Sequence, residues 1–196
     1  MYHPRRIELE PPRRVMIIGL PGSNKTGLGQ IMASRLNLPF IELQREYWKP
    51  GWTRPDAQSW ARRVKELADG DEWVMSGTFP ATLDLRAARA DWIVWLDLPM
   101  IPCFSRKLRQ MLGKGATKTV EIAPGCPTRF DFRLLRFTWS FPAVTAPLIA
   151  TMIARERRNR SIFIVRSKAE LEEFLARVPT LGGTGRAAPE DSRPQA

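Results

Sequence analysis

The residues Gly19-Leu20-Pro21-Gly22-Ser23-Asn24-Lys25-Thr26-Gly27 carry the clearest chemistry in this chain. They follow Val15-Met16-Ile17-Ile18, an apolar run that reads as a buried strand. The spacing is close to GxxxxGK[ST]. In that pattern glycines let successive backbone N–H groups curl around a phosphate, and the next helix turns its positive N-terminus to the same anion. Lys25 would reach the β- and γ-phosphates of a nucleotide, and Thr26 would offer a hydroxyl to Mg²⁺. Gly19, Lys25 and Thr26 stand in register, but Asn24 takes the place of the second glycine. If that position needs a positive φ, Asn is the non-glycine residue that tolerates it best, although its side chain could crowd the phosphate. A purely structural turn is the alternative.

Other clusters could serve the same chemistry. Asp84 and Arg86, in the run TLDLR, suit a general base and a contact to an acceptor phosphate or hydroxyl. They could equally form a surface pair. Arg106, Lys107, Arg109, Lys114, Lys118 and Arg129 gather the positive charge that phosphoryl transfer needs over the migrating group. A solvated basic helix face is the other reading. Trp48 and Trp52 flank the turn signal Pro50-Gly51. Trp52 suits a loop pin; Trp48 could pin as well or stack on a base or sugar. Asp97 ends an apolar run and would either face Mg²⁺ or cap the next helix.

Strand signals at 14–18, 39–43, 72–76, 92–97 and 161–166 must position these residues. Several are unbroken apolar runs, as in a parallel sheet covered on both faces. Helical patterns lie between them at 26–35, 56–68, 82–89, 101–112 and 168–177, with a broken helical region from 131 to about 158. This alternation predicts a three-layer α/β fold, whose ligands bind at the carboxyl ends of the strands. Residues 1–13 read as a flexible N-terminal arm, 14–178 as one domain and 179–196 as a disordered tail.

The chain has 196 residues, enough for one full core. Its net charge of +11 favours polyanionic partners or reflects a solvated basic face. Two cysteines without metal-ligand spacing and a single histidine argue for a reduced, cytoplasmic setting, without zinc or histidine catalysis. The stretch 141–153 is the nearest approach to a membrane span, and Pro142 and Pro147 interrupt it.

The motifs together resemble those of the adenylate-kinase-like P-loop kinases, in particular the bacterial relatives labelled topology modulation proteins. The resemblance rests on five segments in order. They are the loop at 19–27, Ile41-Glu42-Leu43 leading to Tyr47-Trp48-Lys49-Pro50-Gly51-Trp52, and Gly77 followed by Thr82-Leu83-Asp84-Leu85-Arg86. Trp95-Leu96-Asp97-Leu98-Pro99 and Pro124-Gly125-Cys126-Pro127-Thr128-Arg129-Phe130 complete the set. It implies a five-stranded parallel sheet in the order 2-3-1-4-5, a small lid over about 113–129, and ATP with Mg²⁺. It also implies phosphate transfer to a nucleotide, nucleoside or other small acceptor. Arg106 and Arg109 would face the triphosphate and Arg86 would position the acceptor. Departures from the pattern are Asn24, Gln44 for an acidic residue, Ser76 for an aspartate, Thr78 for asparagine, and Ala116 and Lys118 for lid arginines.

Two other classes stay open. A lapsed enzyme would bind nucleotide without turnover. A basic nucleic-acid-binding protein would show salt-dependent affinity, but no helix-turn-helix, RNP or zinc-finger signature supports it. No basic amphipathic segment stands out for a membrane, and oligomeric state is not readable.

Overall fold

The computed structural model describes residues 9–112, 123–126 and 130–181. Five strands, β1 (Arg14–Gly19), β2 (Phe40–Glu42), β3 (Trp73–Ser76), β4 (Trp92–Leu96) and β5 (Ser161–Val165), form one parallel sheet. The order is β2-β3-β1-β4-β5, as expected. The central strands are buried on both faces, which is why they read as unbroken apolar runs.

Alternate residues of these strands feed two cores. Val15, Ile17, Val74, Val94 and Leu96 pack under α1 (Lys25–Leu36) and α7 (Lys168–Arg177). Met16, Ile18, Met75, Ile93 and Trp95 pack under the helices of the opposite layer. Those are α3 (Ala57–Ala68), α4 (Leu83–Ala87), α5 (Met100–Met111) and α6 (Phe132–Glu156). The result is the three-layer α/β fold. Asp56 caps α3 through Ser59 N, at 2.9 Å, as its acidic start suggested. The short α2 (Leu43–Tyr47) and two 3-10 turns, Pro50–Trp52 and Pro80–Thr82, were not expected from periodicity.

One expectation needs correction. The region after 131 is one continuous helix of 25 residues, α6, with both prolines on its exposed side. Its buried residues include Phe141, Ile149, Met152 and Ile153, which tie it to the core. It is long and apolar enough, by length and composition alone, to cross a bilayer. Before β1, Leu9 packs on the α1–α7 core and its N–H meets Arg177 O at 3.4 Å. After α7, Leu181 N donates to Arg35 O at 2.8 Å.

Candidate functional site

The loop after β1 lies at the centre of the sheet's carboxyl edge, where a cleft of about 1110 Å³ opens. The chain's course divides this cleft. Loops after β2 and β3 supply one side, and α5, following β4, supplies the other.

Gly19, Pro21, Gly22, Asn24, Lys25 and Thr26 all line the cleft, while Ser23 is buried within the loop. Gly22 has a φ of 84°, and a Cβ there would meet Cys103 O of α5 at 2.2 Å. Only glycine fits where the loop crosses that helix. Asn24 sits at φ 65° and ψ 37°, the left-handed conformation that its amide side chain tolerates. Its side chain folds over Gly27: a Cβ on Gly27 would lie 2.7 Å from Asn24 Nδ2 and 2.8 Å from Oδ1. The substitution in the loop is therefore matched by a missing side chain one helical turn on.

Lys25 Nζ donates to Leu20 O at 2.8 Å and lies 3.5 Å from Ser23 Oγ. Burial and the neighbouring Lys107 pull its pKa from 10.5 down to about 8, against the opposing pull of Cys103 and Glu42. Thr26 Oγ1 donates to Glu42 Oε1 at 2.6 Å. Glu42, at the end of β2, is held in turn by Arg45 at 3.4 Å. The carboxylate that meets the loop is thus Glu42, two residues before Gln44, which also lines the cleft.

On the α5 side Arg106, Lys107 and Arg109 all line the cleft. Arg106 Nη1 donates to Gly22 O at 2.5 Å, which ties α5 to the loop. Lys107 is the buried member. It is only 8% exposed, and its Nζ meets the neutral Gln110 Oε1 at 3.1 Å. Burial lowers its pKa, with Asp131 and Glu42 opposing.

Thr78 joins the strand ends beneath the loop. Its Oγ1 donates to Gly19 O at 2.6 Å and accepts from Gly19 N at 3.1 Å. Ser76, buried at the end of β3, lines the floor.

No family model matches the chain, and no curated protein does. Among solved structures it is similar to a gluconokinase from Sinorhizobium meliloti 1021. The TM-score is 0.51 and the identity 17%, covering 86% of this chain and 90% of that one. The fold is that of the P-loop kinases.

Within this P-loop kinase fold, three sequence expectations are displaced. Arg86 does not face an acceptor. It is fully buried, and its guanidinium is spent on carbonyls: Nε on Thr82 O at 3.2 Å, Nη1 on Gly77 O at 2.6 Å, and Nη2 on Thr78 O and Phe79 O. Burial pulls its pKa down to about 9. It is a brace for the loop after β3. Asp84 lies outside the cleft lining, with its Oδ1 2.7 Å from Arg155 Nη2 on the exposed side of α6. Asp97 does not join Thr26. It pairs with Arg166 at 3.4 Å and lines a separate cavity of about 460 Å³.

Trp48 does line the cleft, beside Trp52 at 5.2 Å between ring centroids. Of the expected lid, residues 123–126 form a small turn whose Gly125 O accepts from Gly51 N at 3.2 Å. Lys114, Lys118 and Arg129 lie outside the described residues. Cys103 and Cys126 are both free and buried.

The donor set fits Mg²⁺. Thr26 Oγ1 and Glu42 are hard oxygen groups in contact, and Mg²⁺ is commonly held by one or two such groups with substrate phosphates and water. Among the described residues no cluster of three acidic, histidine or cysteine side chains exists, so an all-protein metal cage is absent there.

Proposed function

We propose that this protein is an ATP-dependent phosphotransferase acting on a small hydroxyl-bearing acceptor. The observation that carries the reading is the convergence of Lys25, Thr26, Glu42, Arg106 and Lys107 on one cleft around a left-handed phosphate-type loop. Five cations, Lys25, Arg45, Arg106, Lys107 and Arg109, line the cleft with two carboxylates, Glu42 and Asp131. That excess suits a triphosphate.

Backbone N–H groups of the loop cradle the phosphates. Lys25 exchanges its bond to Leu20 O for phosphate oxygens. Arg106, Lys107 and Arg109 stabilise charge on the migrating phosphoryl group. Thr26 and Glu42 would hold Mg²⁺, which neutralises charge on the phosphate oxygens when bound. A bond forms from the acceptor hydroxyl oxygen to the γ-phosphorus as the bond to the β,γ-bridging oxygen breaks. ADP leaves, and the hydroxyl proton is released to solvent.

Phosphate transfer is tested by following ADP formation with Mg-ATP against a panel of alcohols. Acceptor-dependent ADP formation that Lys25→Met abolishes supports the reading. A second reading, nucleotide binding without transfer, is favoured by Ser76 at the end of β3, where the resemblance implies a carboxylate. In that case ATP binds in a Lys25-dependent manner and no acceptor accelerates turnover.

A further inference from the structure

The side of the cleft opposite α5 differs in chemistry from the rest. The loops after β2 and β3 place Tyr47, Trp48, Trp52, Phe79 and Pro80 along it. The rings form a connected wall: Trp52 to Trp48 at 5.2 Å, Trp48 to Tyr47 at 4.9 Å, and Tyr47 to Phe79 at 5.1 Å. Trp60 of α3 backs it, 4.9 Å from both Tyr47 and Phe79.

Two members of this wall hold backbone conformations that bulky residues avoid. Phe79 has a φ of 38° and Trp52 a φ of 61°. Both are fixed by surrounding bonds. Phe79 O accepts from Thr82 N at 3.0 Å, Thr82 Oγ1 at 3.2 Å and Arg86 Nη2 at 3.3 Å. The Trp52 turn is closed by Lys49 N on Thr53 O at 2.9 Å. It is clasped from outside by Cys126 Sγ on Lys49 O at 3.1 Å. Bulky residues held in such conformations cluster at ligand sites, where the surrounding structure over-determines them.

On this side of the cleft the described polar lining residues are Gln44, Arg45, Ser76 and Thr78, and Thr78 Oγ1 is spent on Gly19. Arg86 is buried under its carbonyls and Asp84 faces Arg155 outside. Arg45, the cation that lines this side, is paired with Glu42. We propose that the acceptor is an uncharged alcohol carrying a flat ring, which lies against Trp48, Trp52 and Phe79 and turns its hydroxyl toward Thr26 and Glu42. This rests on the phosphotransferase reading and narrows its substrate class. A flat ring gains from offset or edge contact with aromatic faces, whereas a polyol would strand its hydroxyls there.

The test is calorimetric titration of wild type, Trp48→Ala and Trp48→Phe with adenosine, thymidine, thymidine monophosphate, gluconate and glycerol. Each is run with and without a non-hydrolysable ATP analogue. Adenosine or thymidine should bind at least tenfold more tightly than gluconate or glycerol, and the monophosphate no more tightly than thymidine. Trp48→Ala should weaken ring binding at least tenfold while Trp48→Phe keeps most of it, and analogue affinity should stay unchanged in both. Gluconate or glycerol binding as tightly as the nucleosides, a tenfold gain from the monophosphate, or ring binding indifferent to Trp48→Ala would overturn the proposal. Failure of the analogue to bind wild type refutes the phosphotransferase reading instead, and the titrations without analogue still judge the wall.

Discussion

The side-chain amide of Asn24 occupies the space that a Cβ on Gly27 would need, with Nδ2 only 2.7 Å from that position. The two residues are one device. Asn24 supplies the left-handed residue at the entry to α1, and Gly27 makes room for its side chain.

A double-mutant cycle exposes this coupling. Gly27→Ala should be neutral or destabilising in the wild type, because the Asn24 amide must move. With Asn24→Gly in place, the same change should stabilise by up to about 1 kcal/mol, the usual gain of alanine over glycine in a helix. Urea denaturation of the four proteins measures it. Equal effects in both backgrounds would show that the two positions are independent.

Nucleotide affinity should fall as pH rises through about 8. Free Lys25 titrates near 8, and a bound phosphate restores its ordinary range. At pH 8 binding should therefore take up about half a proton, read from calorimetry in buffers of different ionisation enthalpy. The sign for folding is opposite. Between pH 8 and 10.5 the unfolded chain holds the Lys25 proton that the folded one has lost, so this lysine's cost to stability is relieved as pH rises.

Lys107→Met should raise the melting temperature, since it removes a charge buried beside Lys25. It should weaken ATP binding at least tenfold. The midpoint of the pH dependence should move above 8, because Lys107 helps to lower the pKa of Lys25. An unchanged midpoint would place Lys107 outside the electrostatics of the loop.

Arg86 and Asp84 should separate cleanly. Arg86→Ala leaves the carbonyls of Gly77, Thr78 and Thr82 without their buried donor and should cost about 3–5 kcal/mol. Asp84→Ala breaks only an exposed pair and should leave both the melting temperature and turnover unchanged. Loss of turnover in Asp84→Ala would return that carboxylate to the site.

The sequence made the sheet legible because β1 and β4 are buried on both faces and their apolar runs cannot be read as surface elements. Lys25 and Thr26 were legible because a local loop fixes them. The burial of Arg86 and of Lys107 was not anticipated, although local signals existed. Arg86 shares the buried side of α4 with Leu83 and Ala87, and Lys107 falls between Cys103 and Met111 on the buried side of α5. Each is a cation within an apolar stripe. Glu42 and Asp97 carried no such signal. Asp97 meets Arg166 because β4 and β5 are neighbours, whereas Glu42 meets Thr26 across the intervening β3 because Thr26 opens α1, which packs over β3 and β2. The continuity of α6 through Pro142 and Pro147 was hidden for a similar reason, since packing of its buried side outweighs the local cost of two prolines.

The most direct measurement is calorimetric titration of ATP, with and without Mg²⁺, into the wild type and Lys25→Met. Micromolar binding that Mg²⁺ strengthens and Lys25→Met abolishes is the expected result. A wild-type protein that binds no nucleotide under either condition, or binds equally well without Lys25, would contradict the assignment of this cleft to a phosphate donor.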